Sequence, residues 1–136
     1  MAVPEAENET PEFDVAEVLT ERISDAFASD GQLRVVDEES ADAVMYLRVV
    51  SLDDRPFTYT AAEETEQYRF NIFIDAELLK TEDDDQLLEL KGLEGWGTYD
   101  ASLADEEGDE EGRDQAIEAA LDMIIEEIID RTTASW

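Results

Sequence analysis

The hydropathy pattern of this 136-residue sequence predicts an α+β two-layer sandwich: a small mixed or antiparallel sheet with two helices on one face. Three observations lead there. Residues 13–29 and 114–131 repeat their apolar residues at helical spacing. Between them, residues 44–52, 68–79 and 87–99 carry the apolar content and alternation of half-buried strands. A sheet that is apolar on one side only needs a single cover, and two amphipathic helices supply it. At this length the chain is expected to form one domain, residues 1–136.

Taken in order, residues 4–12 are polar and end in Thr10-Pro11, which reads as a loop leading into a helix. In that helix Ala16, Leu19, Ile23, Ala26 and Phe27 form the apolar stripe, and Asp30-Gly31 supplies the stop. Residues 32–36 read as a short strand or the approach to one, and Asp37-Glu38-Glu39-Ser40 as a charged turn. The first clear strand places Met45, Leu47 and Val49 on one face and Tyr46, Arg48 and Val50 on the other. Asp53-Asp54-Arg55-Pro56 reads as its end, with a loop to about Glu66. The second is the most regular: Tyr68, Phe70, Ile72, Ile74, Ala76 and Leu78 alternate with polar residues and Phe73. Glu82-Asp83-Asp84-Asp85 makes a turn, and the third strand contains Gly92, Gly95 and Gly97, which suggest a bulge or bend. An acidic loop over residues 100–112 precedes the last helix, whose stripe is Ile117, Ala120, Leu121, Ile124, Ile128 and partly Ile125.

Composition excludes much. Nine Lys and Arg stand against 39 Asp and Glu, a formal charge of −30, so binding nucleic acid through a broad basic surface is ruled out. With neither cysteine nor histidine, disulfides, zinc fingers, His-ligated metals and Ser–His or Cys–His catalysis drop out together. Neither a cofactor nor a metal is expected. Carboxylates spread over the whole chain, with lysine only at 80 and 91, read as a surface adapted to concentrated salt, where screening relieves self-repulsion. The acidic runs at 83–85 and 105–111 lack the spacing of a calcium loop and read as solvated loops. No nucleophile has a base beside it, so an enzyme is not expected.

One pattern does point to a surface. If the aliphatic rows face the helices, Arg48, Arg69 and Lys91 share the open sheet face with Tyr46 and Phe73. Three of the nine basic residues would then be available there to an anionic lipid or a partner protein, unless they pair with Asp75, Glu77 and Glu89 on the same face.

The sequence also resembles a known family. Ala2-Val3-Pro4 followed by Glu7-Asn8-Glu9-Thr10 is similar to the opening phrase of the lipopolysaccharide-assembly lipoproteins, the LptE family, a phrase that there ends the first strand and leads into the first helix. Gly31-Gln32-Leu33-Arg34-Val35-Val36, Ser40-Ala41-Asp42-Ala43-Val44, Tyr68-Arg69-Phe70, Gly95-Trp96-Gly97-Thr98-Tyr99 and Trp136 after the closing helix match later phrases in order. Ala6 departs from the pattern, where an aromatic or aliphatic residue is usual, and so does the acidity. The resemblance implies a small sheet with two helices on one side. It also implies an anchor by N-terminal lipid at the periplasmic face of the outer membrane. The job it implies is that of plug and chaperone for the β-barrel protein LptD in lipopolysaccharide transport, with lipopolysaccharide itself a further ligand. The lipidated cysteine and its signal are expected to lie outside this sequence. The alternative is a periplasmic interaction domain of similar fold serving another envelope complex.

Overall fold

The computed structural model describes residues 1–31, 34–62, 64–83, 85–100 and 110–135. In chain order these form β1 (Glu7–Asn8), α1 (Phe13–Asp30), a 3-10 turn (Glu38–Ser40), β2 (Ala43–Tyr59), β3 (Thr65–Lys80), β4 (Gln86–Asp100) and α2 (Glu110–Ser135). The four strands lie in sequence order in one sheet. β1 runs parallel to β2, while β2, β3 and β4 form an antiparallel meander. The sheet is mixed, it stays open, and both helices lie on the same side of it. This is the two-layer α+β arrangement that the periodicity predicts.

β3 is the spine. Phe70, Ile72, Ile74 and Leu78 are fully buried on its covered face, beside Met45 and Val49 of β2. Leu19, Ile23 and Phe27 of α1 and Leu121, Ile124 and Ile128 of α2 close over them in one continuous core. Each such side chain contributes roughly 1.5–3 kcal/mol by leaving water.

The helices reach this core differently. α2 lies against β4 almost backbone to backbone: a Cβ at Gly95 would stand 2.1 Å from the Ala120 carbonyl oxygen, and one at Gly97 2.3 Å from that of Ala116. Those glycines therefore make a close approach and not a bend. The bulge of β4 is at Lys91-Gly92, where two residues oppose Asp75 and Gly92 takes φ +65°. α1 instead fills space with large side chains, and it ends at Gly31 in the left-handed conformation, whose N–H donates to the Phe27 carbonyl.

The two helices run in the same direction. At their beginnings, Arg113 of α2 meets Glu12, the residue just before α1, and Asp54 of β2. Farther along, Arg22 of α1 bonds Glu118 at 3.0 Å and Asp122 at 2.9 Å on α2.

Three stretches differ from the sequence reading. Residues 4–12 contain β1, which two residues of pairing are too short to announce. Its exit is locked by side chains: Asn8 Oδ1 accepts the N–H and hydroxyl of Thr10, and Asn8 Nδ2 donates to the Glu12 carbonyl at 2.7 Å. Ala6 is buried in the core, with its N–H on the Thr20 hydroxyl. Residues 53–59 are strand and not loop. Pro56 sits opposite Tyr68, in a part of β2 that β1 no longer flanks, so its missing N–H breaks no ladder on the outer side. The charged turn at 37–40 contains the 3-10 turn. Of the other expected features, Gln32, Leu33, Asp84, most of the acidic loop (101–109) and Trp136 lie outside the described residues.

Candidate functional site: the open face of the sheet

The face turned away from the helices is built by alternation. With Met45, Leu47 and Val49 pointing into the core, Tyr46 and Arg48 point out; with Ile72, Ile74 and Ala76 inward, Phe73, Asp75 and Glu77 point out. A bulge at Val50 resets β2, so that Asp53 and Arg55 continue on the open side, opposite Asn71 and Arg69. All five residues singled out from the sequence, Arg48, Arg69, Lys91, Tyr46 and Phe73, lie on this face.

They do not form one cluster. Arg48 and the Lys91-Gly92 bulge flank Asp75 across the sheet, while Arg69 lies six residues away along β3, about 20 Å. Each of the three cations is already held by carboxylates. Arg48 reaches Glu7 at 3.4 Å and Glu9 at 3.8 Å, both supplied by β1 and its exit. Lys91 pairs with Glu89 at 3.0 Å; that contact raises the lysine pKa and lowers the glutamate pKa. Arg69 reaches Glu94 at 3.5 Å and donates to Asn71 Oδ1 at 3.0 Å.

Near Arg48 and Lys91 the face holds a shallow depression of about 580 Å³, lined among others by Glu5, Glu7, Tyr46, Asp75, Glu77 and Glu89. Asp75 Oδ1 accepts the Gly92 N–H, and Glu77 accepts from the Gln86 amide. These bonds orient both carboxylates without neutralising them. At the other end the Arg69 guanidinium lies 4.4 Å from the centre of the Trp96 ring and 5.8 Å from that of Phe57. Beneath it Asn71, nearly buried, donates to Asp53 at 3.0 Å, and Arg55 pairs with Asp53 at 3.1 Å. Phe57 and Arg55 were missed from sequence because Pro56 reads as a strand end. The alternation of Asp53, Arg55 and Phe57 with Leu52 and Asp54 was the available signal.

On the opposite, helix-covered side a polar group joins the sheet to the starts of the helices. Arg113 bonds Glu12 and Asp54, and Tyr99 donates its hydroxyl to Asp54 at 2.8 Å. The two carboxylates raise the Arg113 pKa, and burial together with the Asp54 contact pushes the Tyr99 phenol up to about 12. With its carboxylates spent on an arginine, this group ties α1, α2, β2 and β4 together and offers no free acid or base. Among the described residues no set of three or more acidic side chains is placed to hold a metal, and no helix is long and apolar enough to cross a membrane.

A sheet covered on one side by two helices and bare on the other defines an α+β domain of the kind found in several bacterial lipoproteins. The fold resembles that of a minor lipoprotein from Acinetobacter baumannii (TM-score 0.62, 13% identity, covering 98% of this chain and 90% of that one). It is also similar to the rare lipoprotein B of Shewanella oneidensis (0.53, 13%, 100% of each chain) and to a protein of Xanthomonas campestris (0.65, 15%, 98% and 83%). No curated protein matches the sequence. Residues 1–132 match the family described as LptE, lipopolysaccharide-assembly, and the chain belongs to that family. The family is one of non-enzymatic envelope lipoproteins, and membership implies association with the machinery of lipopolysaccharide transport.

Proposed function

We propose that this chain is a non-enzymatic plug and assembly chaperone of an LptD-type β-barrel in lipopolysaccharide transport. It works at the periplasmic face of the outer membrane as a lipid-anchored protein. The observation that carries the reading is the family match over residues 1–132. The geometry agrees with it: a rigid two-layer domain with one hydrated, charged face suits the polar interior of a large barrel. On this reading the open face, with Arg48, Arg69, Lys91, Tyr46 and Phe73, meets the partner. The engagement of all three cations by carboxylates favours protein docking there over contact with lipopolysaccharide phosphates.

Co-purification with the barrel encoded by the same genome tests the role, in low and in molar NaCl, since a −30 chain associates differently in each. A stable complex in either condition is expected. Failure to associate with any barrel in both conditions removes the plug role.

A further inference from the structure

We propose that the open face receives a protein surface rich in lysine and arginine, and that its own basic residues hold the face together instead of receiving an anion. The inference rests on the docking role proposed above and names the partner's chemistry.

Consider the charge left over after pairing. Arg48, Arg55, Arg69 and Lys91 are each held by carboxylates of neighbouring residues. Around the depression, Glu5, Asp75 and Glu77 have no cation among the ion pairs of the described residues, and the hydrogen bonds to Asp75 and Glu77 fix where those carboxylates point. The surplus on this face is negative, as it is for the molecule at −30, so a cationic surface approaches down the field and an anionic one against it.

Exposed aromatics supply the second component. Tyr46 stands beside Glu77 in the neighbouring strand and is 47% exposed; Phe57 is 47% and Trp96 37% exposed at the other end. Aromatic rings are the usual anchors of protein interfaces, and their faces attract ammonium and guanidinium groups. The face already uses that geometry once, in Arg69 over Trp96. The strands hold these side chains in place, so a partner gains carboxylates and rings without having to order a loop.

The test is a titration of the isotope-labelled chain with decalysine and, separately, decaglutamate, at an ionic strength of about 0.15 M. Decalysine should shift the amides of Tyr46, Asp75, Glu77 and Trp96 most, and the double variant Asp75→Asn/Glu77→Gln should weaken it about threefold or more. Unchanged spectra elsewhere establish that the variant is folded. The inference is overturned if decalysine shifts concentrate on the outer faces of α1 and α2, or if decaglutamate maps to the open face. The barrel separates this outcome from the role itself. If a barrel binds by the helical side while decalysine spares the sheet, the partner chemistry fails and the plug role stands. If no barrel binds but decalysine maps to the sheet, the plug role fails and the cation-receiving face stands.

Discussion

The two helices cover the same sheet by opposite means. α2 comes close because side chains are absent, with Gly95 and Gly97 under the carbonyls of Ala120 and Ala116. α1 is held off by large ones, Leu19, Ile23 and Phe27, all fully buried. One contact therefore tolerates no addition, while the other is weakened by deletion. The difference also separates rigid from adjustable: backbone against backbone leaves no rotamer to change, whereas a layer of leucine, isoleucine and phenylalanine can repack.

The largest effect is expected at Gly95→Val, where the added atoms meet the Ala120 carbonyl and the Ile124 methyl, so α2 must lift from β4. A loss of more than about 4 kcal/mol is expected, read as failure to fold or a collapsed denaturation midpoint. Wild-type stability in that variant would break the comparison at its strongest point. Next comes Phe27→Ala, which empties a fully buried site under α1 and should cost about 3–4 kcal/mol in chemical denaturation. A much smaller loss would mean that α1 settles into the gap, sharpening the view that it is the adjustable helix.

Smaller effects fall on the polar ties between the helices. Arg22→Gln removes the link to Glu118 and Asp122 and leaves their acidic faces unbridged. About 0.5–1 kcal/mol should be lost at low salt, and the difference from wild type should shrink in molar NaCl. A salt-independent loss would assign the arginine a packing role through its aliphatic stem. The last prediction has no effect at neutral pH and concerns Tyr99 at the shared start of both helices. Its phenol pKa is pushed up to about 12, so above pH 10 the unfolded chain releases a proton that the folded chain keeps. The stability this contact contributes is complete below pH 10 and is lost as pH rises toward 12. Unfolding measured across that window should fall less steeply for Tyr99→Phe than for wild type.

What could be read from the residues follows the range of the forces involved. α1, with its glycine stop, and β3, with its alternation, are set by neighbours in sequence, and both are legible. β1 leaves no periodic trace in two paired residues, and only the family resemblance implies a first strand there. Pro56 hides the outer half of β2, since its meaning depends on whether a strand lies beyond it. The open face was legible as a list, because alternation alone puts Arg48, Arg69 and Lys91 outward. Its chemistry was legible only in part: Lys91 pairs with Glu89 on the same face, as the sequence allows, but Arg48 is engaged by Glu7 and Glu9 through β1, and not by Asp75. The Arg113 tie to Glu12 and Asp54 joins residues 59 and 101 positions apart, beyond any local pattern.

The shared direction of the helices gives the molecule a polarity. Two antiparallel rods would cancel their peptide dipoles; here they add, and neither carries a basic residue in its last turn. The end where they stop also holds the turn with Glu82, Asp83 and Asp85, tied through the Thr81 N–H to Asp42. The negative ends of both dipoles therefore fall beside those carboxylates. A cation is favoured at that end of both helices, where neither last turn supplies one.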